Sequence, residues 1–340
     1  MKKYIGVDIL KFIMAIFVVA IHTYPNPFKD GIHNDNNILD IDQIWDIIVR
    51  FAVPYFFIAS GFFLFLKLKK ESDNLLRQKI VLSFGKRIMR LYIYWTIIFL
   101  PITIWSFINN RDLFFVDLFS FLKNVFIVGH NFLSWPLWYL LTMIYSIVIL
   151  YFFIKKNINV KIIFVFSILL FLISILLEGF VKYKTSNTLL LTLYKIKQTV
   201  SFEGRLFTGM LYLMIGALFA NINSKISKEK LFVITITGVL IQISNLSFIS
   251  IYHSVFLPAV IFYLSVNWKV ASIRSGYFFR KCSTVLYFTH MIVFFIYGKF
   301  IKECLCQGYD SFLVSIIIPI ILTPIIIKYE NKLVFLKKIF

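Results

Sequence analysis

The chain alternates between long apolar stretches, each of about 18–22 residues, and short charged connections. That pattern predicts ten membrane-crossing α-helices, near 5–24, 44–66, 87–108, 133–154, 161–180, 205–222, 231–249, 251–267, 283–301 and 311–329. A transmembrane β-barrel would instead show alternation over segments of ~10 residues. The first stretch has a basic start but runs past Pro25 without a small-residue cleavage site, so it reads as a retained helix and not a signal peptide. Residues 111–130 carry Phe114, Phe115, Leu118, Phe119 and Leu122 at helical spacing, which suits a helix lying flat at the outer interface. Spans seven and eight meet near Ser250 with almost no loop. With no repeat, linker or soluble domain in view, 1–340 reads as a single all-α, polytopic membrane domain.

Composition fixes that class more firmly. Of 340 residues, 60% are hydrophobic, and the mean hydropathy is +0.84, whereas soluble domains are roughly 45–50% apolar. The formal net charge of +20 raises nucleic acid as a partner, but the placement of the cations argues for topology. Lys2 and Lys3, the connection from Lys67 to Arg87, the clusters at Lys155, Lys225 and Lys269, and the tail from Lys328 to Lys338 fall on one side. The other side is sparsely basic, with residues such as Lys29, Arg111 and Lys302. The positive-inside rule puts both termini in the cytoplasm, and anionic lipid headgroups account for the excess charge. Cys282, Cys304 and Cys306 show no metal-ligand spacing with any histidine, and Cys304 and Cys306 stand too close for an ordinary structural bridge. Gly-rich phosphate loop, HExxH and nucleophile elbow are all missing from the sequence.

The remaining signal lies in polar positions that hydrophobicity does not explain. Lys11 and His22 both sit inside the first span. Eleven residues make three turns plus about 20°, so both side chains leave one helix face, about 16 Å apart along the axis. An ionisable group near mid-bilayer costs roughly 2.5–3.5 kcal/mol on insertion scales, which makes such a pair a candidate site. Asp8 is an i,i+3 neighbour of Lys11 and can pair with it. Lys86, Arg87 and Arg90 open the third span; they suit phosphate binding, and equally a plain topology signal. Ser60-Gly61 among aromatics allows close approach of another helix or of a ligand. Lys197, Glu203 and Arg205 precede the sixth span on the outer side. Ser283, Tyr287 and His290 make one helical stripe, in which His290 can take a hydroxyl partner. His33, His130 and His253 read as loop residues, and most of the tryptophans, Trp138 among them, as interfacial anchors.

Taken in order, these residues resemble the membrane-bound acyltransferase type 3 superfamily from end to end. Val7-Asp8-Ile9-Leu10-Lys11 with His22 is similar to its basic-x10-His signature, although Lys11 stands where many members have Arg. Pro54–Phe63 resembles its aromatic Ser-Gly motif, and Arg87-Ile-Met-Arg90 followed by Leu91-Tyr92-Ile93-Tyr94-Trp95 its arginine motif. Pro136-Leu137-Trp138-Tyr139-Leu140 is similar to its Leu-Trp-aromatic motif. Arg205 with Leu213–Gly216, and Ser283-x3-Tyr287-x2-His290, resemble late motifs. Within the family the chain is most similar to short forms: sugar O-acetyltransferases, and the membrane domain attached to vancomycin-resistance serine racemases.

The resemblance implies an O-acyltransferase in a bacterial cell membrane. It would move an acyl group, usually acetyl from acetyl-CoA and without a metal, to a hydroxyl on an extracytoplasmic carbohydrate or lipid-linked sugar. On that reading His22 is the general base, Lys11 orients the donor and Asp8 holds Lys11. Lys86, Arg87 and Arg90 bind the CoA phosphates, and Arg205, Trp138 and His290 meet the acceptor. Membrane lipid is the expected surrounding partner, nucleic acid is not expected, and a homodimer is compatible with the sequence. Two other readings stay open: a carrier of small serine-like solutes, and a partner protein in polysaccharide export.

Overall fold

The computed structural model describes residues 4–25, 45, 48–109, 114–182, 187–200, 205–221, 255–268 and 273–340. Among them the chain is helical and contains no strand. The helices are α1 (Ile5–Thr23), α2 (Ala52–Leu68), α3 (Asn74–Asn109), α4 (Phe114–Lys123), α5 (Trp138–Lys155), α6 (Val160–Lys182), α7 (Thr188–Thr199), α8 (Leu206–Asn221), α9 (Phe256–Asn267), α10 (Ile273–Phe300), α11 (Tyr309–Tyr329) and α12 (Val334–Ile339).

Six of these are long and apolar enough to cross a membrane: Ile5–Thr23, Asn74–Ile108, Trp135–Lys155, Val160–Val181, Gly276–Phe300 and Tyr309–Tyr329. They correspond to the first, third, fourth, fifth, ninth and tenth expected spans. The second, sixth and eighth are helices of 17, 16 and 12 residues, shorter than the ~20 residues of a full crossing. The seventh lies outside the described residues. The outward face of α6, with Ile162, Val165, Leu169, Leu176 and Phe180, is exposed and apolar, as a lipid-facing helix must be.

Two helices start much earlier than hydropathy predicted. Helix α3 has 36 residues, about 54 Å of helix against a hydrocarbon core of ~30 Å. It begins at Asn74, thirteen residues before the expected 87. Helix α10 begins at Ile273, ten residues before the expected 283. In α3 good helix formers such as Leu75, Leu76, Arg77, Gln78 and Lys79 carry the backbone out of the apolar stretch into charged sequence. Within the expected 111–130 stretch a helix is present as α4, continued by a π-turn over Asn124–Val128. Its Phe119 and Phe126 are exposed, and Tyr92 donates to the Val125 carbonyl at 2.6 Å.

The chain divides into two compact units: Met1–Phe56 with Phe262–Phe340, and Phe57–Ile261. In the first, α1 lies along α10, and α10 along α11. Ala15, Val19, Cys282 and Leu286 form a buried core there, with Phe12, Phe278, Phe312 and Ile316 packed against it. In the second, α5 packs on α3 and on α8, and α8 on α6. Gly61 of α2 sits so close to α8 that an added Cβ would stand 2.0 Å from the Leu213 carbonyl oxygen. Gly216 of α8 returns the contact, 2.1 Å from the Ile58 carbonyl on the same measure. The Ser-Gly pair therefore serves helix approach, mediated by small residues as in other membrane helix pairs.

Candidate functional site

The residues of the first unit sit along α1. Asp8, Lys11 and His22 are all half-buried, and Lys11 lies about 16 Å along the helix from His22. Asp8 faces two cations. Its carboxylate is 3.8 Å from the Arg280 guanidinium of α10, and it also feels the charge of Lys11. Arg280 escaped the sequence reading because it was assigned to a connection; the early start of α10 brings it onto the helix.

At the other end of α1, the His22 ring stacks on the His290 ring, with centroids 5.6 Å apart and planes 19° from parallel. His290 is fully buried on α10, and its Nδ1 is 2.9 Å from the Leu286 carbonyl. A carbonyl only accepts, so Nδ1 carries the proton and Nε2 presents a lone pair. That Nε2 is buried without a hydrogen-bond partner among the described residues. The expected hydroxyl partner is corrected: Ser283 donates to the Arg280 carbonyl at 2.9 Å instead. Gln307 donates to the His22 carbonyl at 2.9 Å, and the Gly308 amide to the Thr23 carbonyl at 3.0 Å. These bonds tie the end of α1, which stops before Pro25, to the segment leading into α11. In that same segment the sulfurs of Cys304 and Cys306 lie side by side.

In the second unit the cationic cluster splits between directions. Lys86 and Arg90, an i,i+4 pair, border a groove of about 400 Å³ between α3 and α5, with Met89, Ile93, Ile147 and Phe152 on its walls. Arg87 lies over the Phe84 ring at 5.2 Å and within electrostatic reach of Tyr139, whose hydroxyl is 3.0 Å from Ser60 Oγ. All three cations lie twelve or more residues inside α3, about 18 Å from its start.

Arg205 and Trp138 meet: the guanidinium lies 4.6 Å from the Trp138 ring centre, a cation–π contact. Phe57 stands among Trp138, Tyr139 and Tyr212. Lys197 pairs with Glu178, which assigns it to joining α6 and α7. Glu203, His33 and His253 lie outside the described residues. No cluster of three or more metal-ligating side chains occurs among the described residues.

The sequence model of the acyltransferase domain family matches residues 4–328. The chain belongs to this family. The match takes in Lys11, His22, the α3 cations, Arg205 and His290. Among curated proteins the chain is similar to an amino-acid racemase of Enterococcus faecalis, 25% identical over 352 residues, covering 96% of this chain and 46% of that protein. It is also similar to a serine/alanine racemase of Enterococcus gallinarum, 34% identical over 108 residues, or 32% of this chain and 14% of that protein. The chain thus spans less than half the length of these relatives. No solved structure matches it.

Proposed function

We propose that this member of the acyltransferase family is an O-acyltransferase that takes an acyl group, acetyl in the simplest case, from cytoplasmic acyl-CoA. The acceptor is a hydroxyl of an extracytoplasmic molecule, a cell-surface carbohydrate or lipid-linked sugar. The observation that carries this reading is the stacked His22–His290 pair, in which one imidazole is buried and its Nε2 has no hydrogen-bond partner among the described residues. Imidazole, with an unperturbed pKa of about 6.5, suits general base catalysis near neutral pH.

In the step itself, His22 accepts the proton of the acceptor hydroxyl as its oxygen attacks the thioester carbonyl. The C–O bond forms, the C–S bond breaks, and the departing CoA sulfur takes the proton back from His22. His290 offers Nε2 to the acceptor as a hydrogen-bond acceptor. Asp8, placed between Arg280 and Lys11, holds Lys11 in position. Lys86, Arg87 and Arg90 supply charge for the CoA phosphates; a guanidinium binds a phosphate with two parallel hydrogen bonds.

A second reading is a carrier of serine-like solutes; the relatives' names concern amino acids, serine among them, as substrates of racemisation. The test is transfer from labelled acetyl-CoA by purified protein. With Arg87 and Arg90 both replaced by Gln, the donor KM should rise about tenfold or more. An unchanged KM removes both arginines from donor binding. Serine uptake without any acyl donor would favour the carrier.

A further inference from the structure

Among the described residues of the second unit, three buried hydroxyls lack a hydrogen-bond partner: Ser174 of α6, and Thr142 and Tyr212, which lie on adjoining helices. Helical threonines here satisfy their hydroxyls by donating to the carbonyl four residues back: Thr96 to Tyr92, Thr103 to Phe99, Thr289 to Val285 and Thr323 to Pro319. Thr142 of α5 is 0% exposed, yet its Oγ1 has no hydrogen-bond partner among the described residues. Buried tyrosines behave similarly: Tyr55 donates to Ser265, Tyr92 to the Val125 carbonyl, and Tyr139 pairs with Ser60. Tyr212 of α8 is 4% exposed, and its hydroxyl has no hydrogen-bond partner among the described residues. Buried polar groups are nearly always hydrogen-bonded, so two exceptions together call for a missing partner.

They lie on facing stripes. Trp138 and Thr142 are i,i+4 on α5; Arg205, Gly209 and Tyr212 are i, i+4 and i+7 on α8, whose helical bonding begins with the Gly209 amide on the Arg205 carbonyl at 2.8 Å. Gly209 brings the two stripes together: an added Cβ would stand 2.8 Å from Thr142 Cγ2 and 3.0 Å from the Phe57 ring. Arg205, 4.6 Å from the Trp138 ring centre, also acts electrostatically on Tyr212. The seam thus offers one fixed cation and two hydroxyl donors.

We propose that this seam is a subsite for an oxyanion, a carboxylate or a phosphate, gripped by Arg205 and by the hydroxyls of Tyr212 and Thr142. Trp138 positions the guanidinium and does not itself stack on a sugar. Identifying the oxyanion as part of the acceptor rests on the transfer reading above and makes that acceptor acidic. The subsite itself is tested without any acyl donor, so its failure and that of the transfer reading are separable.

The probes are glucuronate, glucose 6-phosphate and neutral glucose, titrated by calorimetry against the full chain in lipid nanodiscs. One or both anions should bind at least about tenfold tighter than glucose, and which one does identifies the group. Tyr212→Phe and Thr142→Val keep shape and remove only the hydroxyls. Together they should erase about tenfold of that preference while leaving the melting temperature equal or higher. Arg205→Gln should abolish the preference. Equal binding of all three sugars, or an unchanged preference in the Phe/Val double variant, would overturn the subsite. The latter result would assign the hydroxyls to structural water.

Discussion

The imidazole of His290 is buried, and among the described residues only its Nδ1 has a hydrogen-bond partner. If Nε2 meets the acceptor, His290→Asn should lower kcat/KM for the acceptor by about 10–100-fold, in keeping with about 1.5–3 kcal/mol for a hydrogen bond left unmade. The donor KM should not move. Initial rates at varied acceptor and varied donor separate the two; a change confined to donor KM contradicts this role. The register of Lys11 and His22 was readable from the sequence because it needs only 100° per residue. The partners were not: His290 against His22, and Arg280 against Asp8, lie more than 260 residues away and are chosen by packing. Thr142 and Tyr212 gave no signal at all, since an unmet hydroxyl is visible only when its surroundings are known.

At the scale of elements, glycine and a charged latch govern how helices meet. Gly61→Ala would drive a methyl against the Leu213 backbone, which cannot yield as a side chain tip can. A loss of about 1–3 kcal/mol is expected, read as a lower melting temperature in detergent, with little effect at exposed Ser83 as a control. No change would mean that α2 and α8 are not in this contact. Just past α11, Glu330 pairs with Lys281 of α10 at 2.5 Å and accepts from Tyr277. Burial alone raises its pKa, but the bonds from Lys281 and Tyr277 and the nearby Lys337 together hold it below the usual carboxylate range. The folded state therefore prefers the ionised form more than the unfolded chain does. The stabilisation is complete above the unfolded value of about 4.3 and is lost as pH falls through the folded value. The melting-temperature gap between wild type and Glu330→Gln should be present at neutral pH and close in acid; a gap constant across pH contradicts the latch. Hydropathy located these helices well in their apolar centres and poorly at their ends. Thirteen residues of α3 and ten of α10 continue as helix through charged sequence, which an apolar window cannot register.

For the molecule as a whole, the family and the all-helical membrane class were legible from the order of weak motifs and from the apolar fraction. The count of ten crossings was less so: six helices have full crossing length among the described residues, and three expected spans are short apolar helices. Short apolar helices and full spans share composition and differ in length, which only backbone geometry fixes. The most direct measurement places labelled acetyl-CoA outside proteoliposomes that enclose neutral and acidic oligosaccharides, and follows label into sugar esters inside. The account predicts ester formation by the wild type and a loss of about 10²–10⁴-fold in His22→Ala with the fold intact by melting. Undiminished esterification in His22→Ala, or no esters from the wild type on any enclosed sugar, would contradict it.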